Sequence, residues 1–160
     1  MSDRISVPAI SQVAYVVPDL DEALRGYHHA YGWGPWKVFR YEPPDLRDLQ
    51  MHGRPAECAW LCAETLVGAT NFEVLQPLGS EGVFAEWLAD HGSGVHHLAY
   101  CAATLDEADE THRKLEAAGA EELLSAWMND VFFFYMQTRA GIMEVWTGDE
   151  DSVQPVRTYP

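Results

Sequence analysis

The sequence predicts an α+β fold in which two βαβββ modules form one curved mixed sheet around a central cleft. The first observation is an internal repeat, because residues 12–24 align with residues 97–109 at a constant offset of 85 positions. The second is that a Glu-Val pair ends each copy, at Glu73 and Glu144, with an offset of 71 positions. Each copy also runs from an apolar strand into a helix start. Because half a sheet of this kind cannot bury its own face, we expect the copies to share one sheet.

The first module is expected over residues 8–78. Residues 10–17 alternate between two faces as a strand does, and Pro18 ends that strand. Asp19 then begins a helix, in a pattern that resembles a capping box, and Gly32 stops it. The other strands of this module are predicted at residues 36–41, 57–66 and 71–75.

The extra length of the first copy lies in residues 42–55. This segment contains Pro43-Pro44 and several charges, so the sequence predicts a loop that could cover a pocket. His52 could reach that pocket if the loop folds over it.

A linker at residues 77–92 joins the two modules. Ser80 is expected to cap a short helix in this linker, with Phe84, Trp87 and Leu88 on its apolar face.

The second module is expected over residues 94–147 and repeats the order of the first. Its helix begins at Thr104 and stops at Gly119. Residues 148–160 are polar and are expected to form a loosely docked C-terminal tail. The strands of this module are predicted at residues 95–101, 122–127, 131–137 and 142–146.

Length and composition are those of one folded domain, residues 8–147, with 160 residues in all and 48% hydrophobic residues. The net charge of −15 disfavours nucleic acid and anionic membranes as partners, because both require a cationic surface. There is no apolar run near 18 residues, which argues against a membrane-spanning helix. Residues 1–4 lack the pattern of a signal segment, and three cysteines suit reduced thiols. We therefore expect a cytoplasmic protein.

Four polar side chains occupy equivalent positions in the two copies. Gln12 aligns with His97, and Glu73 aligns with Glu144. If the first and last strands of each module are neighbours, all four converge in the cleft, where two buried glutamates without a cation would repel each other. An imidazole, two carboxylates and a carboxamide suit Mn, Fe, Co, Mg or Zn with two open positions. We therefore predict a divalent metal site at these four residues, with an empty or water-filled polar pocket as the alternative.

Two neighbouring histidines compete for one place in this site. Adjacent residues on a strand point to opposite faces, so only one of His96 and His97 is expected to face the cleft. The repeat selects His97, because it aligns with Gln12. We therefore expect His97→Ala to remove metal binding and His96→Ala to have far less effect.

Five segments carry a resemblance to a known family. Together they resemble the vicinal oxygen chelate superfamily, which includes glyoxalases, bleomycin resistance proteins and dioxygenases, and the nearest branch is methylmalonyl-CoA epimerase-like and glyoxalase-like. The resemblance covers about residues 8–147. The segments are residues 10–24, 32–36, 73–78, 94–100 and 141–145.

The resemblance implies metal ligands at Gln12, Glu73, His97 and Glu144. Gln12 is a departure, since most metal-binding relatives carry histidine there, although its carbonyl oxygen can still ligate. The chain offers one histidine rather than two, which argues against an extradiol dioxygenase. Relatives commonly form dimers, and we expect a homodimer that uses exposed aromatic candidates, namely Trp33, Trp36 and Trp87.

Two functions follow from this reading. The first is a metal-dependent isomerase, epimerase or lyase that acts through an enolate-type intermediate on a small carbonyl-containing substrate. Glu144 is its expected catalytic base, with Glu73 as the symmetry partner. The second is a metal-free protein that binds and sequesters an aromatic or antibiotic-like molecule. The Gln12 departure and the Trp and Phe content favour the second reading.

Overall fold

The computed structural model describes residues 5–7 and 9–160. The predicted module start at residue 8 and the sequence at residues 1–4 lie outside the described residues. Within them, the chain forms three α-helices and eleven strands of one sheet. The predicted α+β class with two βαβββ modules is confirmed.

The elements occur in the following order along the chain. They are β1 (Gln12–Val16), α1 (Leu20–Tyr31), β2 (Trp36–Tyr41), β3 (Leu46–Met51), β4 (Arg54–Pro55), β5 (Ala59–Val67), β6 (Thr70–Leu78), α2 (Val83–His91), β7 (Gly94–Cys101), α3 (Leu105–Ala117), β8 (Glu121–Met128), β9 (Val131–Thr138), β10 (Gly141–Gly148) and β11 (Arg157–Tyr159), with a 3₁₀ turn at Glu150–Ser152 before β11.

The sheet is organised about its two central strands, β1 and β7, which pair antiparallel. On one side β1 pairs parallel with β6, and on the other β7 pairs parallel with β10. The first and last strands of each module are therefore neighbours, as the repeat requires. The complete strand order is β11-β2-β5-β6-β1-β7-β10-β9-β8-β3-β4.

The helix starts of the two copies are capped in the same way. The Asp19 carboxylate accepts a hydrogen bond from the Glu22 backbone N–H at 2.9 Å, and the Thr104 hydroxyl accepts one from Glu107 at 3.2 Å. Each cap is worth about 1 kcal/mol. Gly32 ends α1 with φ +68°, a left-handed conformation that glycine adopts without strain.

The expected Ser80 cap is wrong. α2 begins at Val83, and Gly82 precedes it without a side-chain cap. Gly82 has φ +106°, and a Cβ there would lie 3.0 Å from Cys58. The chain therefore turns sharply beside β5 before the helix can begin, two residues later than the sequence suggested.

Residues 42–55 do not form the predicted loop. They contain the hairpin of β3 and β4, and β3 pairs antiparallel with β8 of the second module. Leu46 and Leu49 are buried in the main core. A register shift between Arg47 and Gln50 breaks the alternation of apolar and polar residues that marks a strand. The sequence of this segment therefore does not indicate a strand.

The C-terminal residues are not loosely docked. β11 pairs antiparallel with β2, at the far edge of the first module, and the Val156 N–H donates to the Val38 carbonyl at 2.7 Å. Val153 is buried in the main core. Backbone hydrogen bonds and one buried apolar side chain hold this segment in place. Neither is apparent from the sequence, because most side chains of the segment are polar.

Three apolar clusters fill the structure. The largest lies on the concave side of the sheet and includes Ala14 and Val16 of β1, Leu75 of β6 and Phe84 of α2. The other two lie beneath α1 and α3 on the convex side. Among the described residues, no helix is long and apolar enough to span a membrane.

Candidate metal centre

All four residues predicted as metal ligands lie on the four central strands, and all four are buried. Gln12 on β1 shares its strand face with Ala14 and Val16, which belong to the concave cluster. The exposed fractions of the four residues are 7% for Gln12, 6% for Glu73, 1% for His97 and 8% for Glu144. These buried polar side chains require hydrogen-bonding or charged partners, because burying an unpaired polar group costs free energy.

Three of these side chains converge on one point. His97 Nε2 lies 2.9 Å from Glu144 Oε2 and 3.4 Å from Glu73 Oε2. One donor atom from each of the three lies within 4.8 Å of the others, which is close enough for all three to bind a single ion.

Three of the four candidate ligands have a buried donor atom without a hydrogen-bond partner, and these atoms show whether a cation fits the site. Although His97 Nε2 is at ion-pair distance from both carboxylates, its alignment is not that of a hydrogen bond. Glu73 Oε2 and Gln12 Oε1 are also buried without a hydrogen-bond partner. Buried polar atoms in proteins are nearly always paired, so unpaired donors on one face of the sheet fit a divalent cation.

Without a cation, a proton on His97 offsets part of the negative charge of the cluster. Burial alone would lower the pKa of His97. The nearby Glu144 and Glu73 side chains raise it by more than burial lowers it, and the net pKa is about 9. Burial also raises the pKa of Glu144, which His97 partly offsets. Without a cation, the protonated form of His97 is therefore favoured at neutral pH.

The expectation that only one of the two histidines faces the concave side is wrong. The pairing of β1 with β7 shifts between Ala14 and Tyr15, which leaves His96 without a partner in the register. This bulge turns His96 toward the same side as His97. The two Nδ1 atoms lie 2.9 Å apart, and His96 is 4% exposed.

His96 can therefore orient His97. Burial, together with the nearby His97 and His91, lowers the pKa of His96 to about 2, so that it stays neutral. A neutral His96 can accept a hydrogen bond from the Nδ1–H of His97, which leaves Nε2 of His97 directed at the carboxylates. The adjacent histidines were visible in the sequence, but the bulge that joins them was not.

Sequence reasoning also missed two residues of β5 that contact the cluster. The Cys62 thiol donates to Glu73 Oε1 at 2.9 Å, and burial keeps the pKa of this thiol well above its usual value. Glu64 Oε2 accepts a hydrogen bond from Asn71 Nδ2 at 3.1 Å. Burial and the nearby Glu73 raise the pKa of Glu64 to about 7. Alternation along β5 was the available signal, since Cys62 and Glu64 share one strand face.

A cavity of about 680 Å³ opens beside the cluster, and Gln12, Glu73 and Glu144 line it. His52 does not line this cavity and instead lies 3.1 Å from Glu86 at the surface. Much of the remaining wall is aromatic and comes from both modules, namely from Phe39, Tyr41, Trp60, Phe133, Tyr135 and Trp146.

Of the three aromatic residues expected at a dimer interface, one is buried and two are half-buried. Trp36 is fully buried, and Trp33 stacks on Tyr27 with the ring centroids 5.5 Å apart. Trp87 packs against His91 at 4.7 Å. The expected exposure is therefore wrong for Trp36, and the homodimer stays a prediction.

Comparison with known protein families and solved structures indicates the same fold. A family model described as the glyoxalase/bleomycin resistance protein/dioxygenase superfamily matches residues 11–133. No curated protein matches the chain in sequence.

Solved structures that resemble the chain include methylmalonyl-CoA epimerases. A selenomethionine form of one such epimerase is 23% identical with a TM-score of 0.58, and the match covers 92% of this chain and 99% of the other. The enzyme from Mycobacterium tuberculosis is 19% identical with a TM-score of 0.60, over 91% of each chain. An epimerase in complex with methylmalonyl-CoA and NH₄⁺ is 19% identical with a TM-score of 0.59, over 94% and 100%. At these identities the likeness establishes the fold.

Proposed function

The chain belongs to the glyoxalase/bleomycin resistance protein/dioxygenase superfamily, and from that premise we propose that it is a metal-dependent isomerase, epimerase or lyase. Its substrate would be a small molecule with a carbonyl group, converted through an enolate-type intermediate. The observation that supports this proposal is the buried Glu73–His97–Glu144 cluster beside the cavity.

Gln12, Glu73, His97 and Glu144 would together hold the divalent ion, for which Mn, Fe, Co, Mg and Zn are the candidates. When bound, the ion supplies Lewis-acid stabilisation of negative charge that develops on the substrate's carbonyl oxygen. His96 would hold the His97 ring in place, and the Cys62 thiol would hold Glu73.

Glu144 is the proposed catalytic base. It lines the cavity, and a ligand carboxylate that detaches from the ion could accept a proton there and return it. Glu144 would remove a proton from the carbon next to the carbonyl and later return it to that carbon or to its neighbour. Glu73 is the symmetry partner that could receive or deliver the proton on the opposite side.

A second function is supported by the aromatic wall of the cavity. A pocket of about 680 Å³ with six aromatic residues could bind and sequester a flat organic molecule without any metal. The protonated form of His97 would then offset part of the negative charge of the cluster. This alternative needs neither a metal nor a catalytic base.

Metal binding separates the two functions. Protein purified without chelator would be analysed for metal content, and then titrated with Co²⁺ in a calorimeter. The first function predicts one ion per chain and its loss in His97→Ala, with the exposed His29→Ala as the matched control. An absence of binding in the wild type would favour sequestration. Incorporation of deuterium from D₂O next to the carbonyl of small ketones and thioesters, followed by NMR, would then test the enolate step.

A further inference from the structure

The cavity beside the candidate metal centre is strongly acidic. Its described lining carries five carboxylates, from Glu64, Glu73, Glu144, Glu150 and Asp151, but only one cationic side chain, that of Lys37. A divalent ion would offset the charges of Glu73 and Glu144. The carboxyl groups of Glu64, Glu150 and Asp151 and one ammonium group would then remain, with a net charge between −1 and −2, because the pKa of Glu64 is raised to about 7. A molecule that enters this cavity therefore meets negative potential.

Two of the remaining carboxylates come from the segment at residues 149–156. This segment leaves β10 of the second module and reaches β11, which pairs with β2 at the edge of the first module. It therefore spans the concave side of the sheet, and we call residues 149–156 the cover. Glu150 and Asp151 line the cavity from this cover, together with Val153, Gln154 and Pro155.

The cover is fastened along its length. The Asn129 side chain donates to the Ser152 carbonyl at 3.0 Å, and the Asp130 N–H donates to the Ser152 hydroxyl at 3.1 Å. Val153 is buried, so that the turn at Glu150–Ser152 has an apolar anchor next to it. The two carboxylates are thus held at the cavity rather than on a loose tail.

We infer that this cover makes the cavity selective for neutral or cationic substrates that combine a flat aromatic part with two adjacent oxygens. This inference rests on the proposed function for the oxygen pair, which would occupy the two positions that the protein ligands leave open on the ion, and on the cavity itself for its charge and aromatic preference. The aromatic wall suits a planar ring and favours a cation near it.

The same cavity disfavours acyl-CoA thioesters, although structural neighbours include epimerases of methylmalonyl-CoA. A coenzyme A thioester carries several phosphate charges, which need cationic side chains. Three of the arginines are already paired with carboxylates, namely Arg40 with Glu42, Arg47 with Asp48, and Arg157 with Asp21. The cover adds acidic groups, and no basic ones, to the described lining of the cavity.

The test uses three catechols that share one ring and one pair of adjacent oxygens but differ in charge. They are dopamine, 4-methylcatechol and 3,4-dihydroxybenzoate, titrated calorimetrically into the Co²⁺-loaded protein and into the metal-free protein at low salt. We expect dopamine to bind about tenfold more tightly than the benzoate, and the difference to shrink as salt screens the charges. Methylmalonyl-CoA should bind more weakly than 4-methylcatechol.

The double variant Glu150→Gln, Asp151→Asn assigns the preference to the cover. It should reduce the ratio between dopamine and the benzoate by about threefold or more. The double variant Asp109→Asn, Glu121→Gln makes the same change in net charge at exposed positions outside the cavity lining, and should leave the ratio unaltered.

Three outcomes would overturn the inference. They are equal binding of the cationic and anionic catechols by the wild type, an unchanged ratio in the cover variant, and binding of none of the probes. Failure of the proposed function looks different. If Co²⁺ does not bind while the metal-free protein keeps the charge preference, the enzyme proposal fails and the selectivity of the cavity stands.

Discussion

The substitution His96→Phe should weaken metal binding although His96 is not one of the proposed ligands. The ring of His96 lies among Phe84, Trp87 and Tyr135, with centroid distances between 5.0 and 6.1 Å, so phenylalanine retains an aromatic ring of similar shape there. What it removes is the acceptor 2.9 Å from His97 Nδ1.

The size of the effect follows from that lost hydrogen bond. His97 is fully buried, so its Nδ1–H would be left unpaired, at a cost of about 1–3 kcal/mol in the free energy of unfolding. Loss of a partner that orients a metal-binding histidine typically costs about 10–100-fold in affinity. We therefore expect His96→Phe to raise the dissociation constant for Co²⁺ by about that factor.

Competition with a chromophoric chelator measures the affinity, and urea unfolding of the metal-free protein measures the stability. His97→Ala should abolish specific binding, and the exposed His29→Phe should behave as wild type. Alternation along the strand predicted little effect from changing His96, so the measurement discriminates between that expectation and the bulge. Wild-type affinity in a folded His96→Phe protein would refute the reasoning.

Four further outcomes are expected. Gln12→His should tighten Co²⁺ binding, because imidazole outcompetes a neutral carboxamide for such metals; weaker binding in the chelator assay would place residue 12 outside the ligand set. Cys62→Ala should weaken the same binding and cost about 1–3 kcal/mol in urea unfolding, because Glu73 Oε1 loses its donor at 2.9 Å; Cys62→Ser should retain most of both. The pKa of His97 is raised from 6.5 to about 9, so its contribution to the stability of the metal-free protein is fully present below pH 6.5 and is lost as pH rises to about 9. Urea unfolding in chelator should follow that fall, and a profile that is equally steep in His97→Gln would contradict the assignment. Sedimentation equilibrium should give twice the 18.0 kDa chain mass if the protein is the homodimer that the resemblance implies, and a constant 18.0 kDa across concentrations would exclude it.

The central part of the fold and three members of the cluster could be predicted because the sequence contains an internal repeat. Equivalent positions in the copies must lie on equivalent strands, so the alignment of Gln12 with His97 and of Glu73 with Glu144 was sufficient to bring those strands together. The alternation of apolar and polar residues then gave the buried face. Both signals are local or come from the repeat itself.

The parts that could not be predicted depend on pairing between distant segments. The bulge at His96 exists only in the register between β1 and β7, and neither strand reveals it alone. β3 is stabilised by β8, with Leu46 opposite Met128, and no pattern in residues 42–55 points to that partner. β11 likewise owes its place to the backbone of β2.

The outer strands have a consequence for how the chain folds. The first module contributes β3 and β4 to the edge of the second, and the C-terminal segment contributes β11 to the edge of the first. Each half therefore completes the other by an exchange of edge strands. Neither half should fold as an isolated fragment, because each would present an unpaired edge.

This exchange also sets the order of events during synthesis and folding. Val38 pairs with Arg157 across the sheet, so the cavity cannot be enclosed until residues 149–159 have been synthesised. Contacts over such separations slow folding, since a long loop must close before they form. We expect the two halves to unfold in a single cooperative transition despite their origin as a repeat.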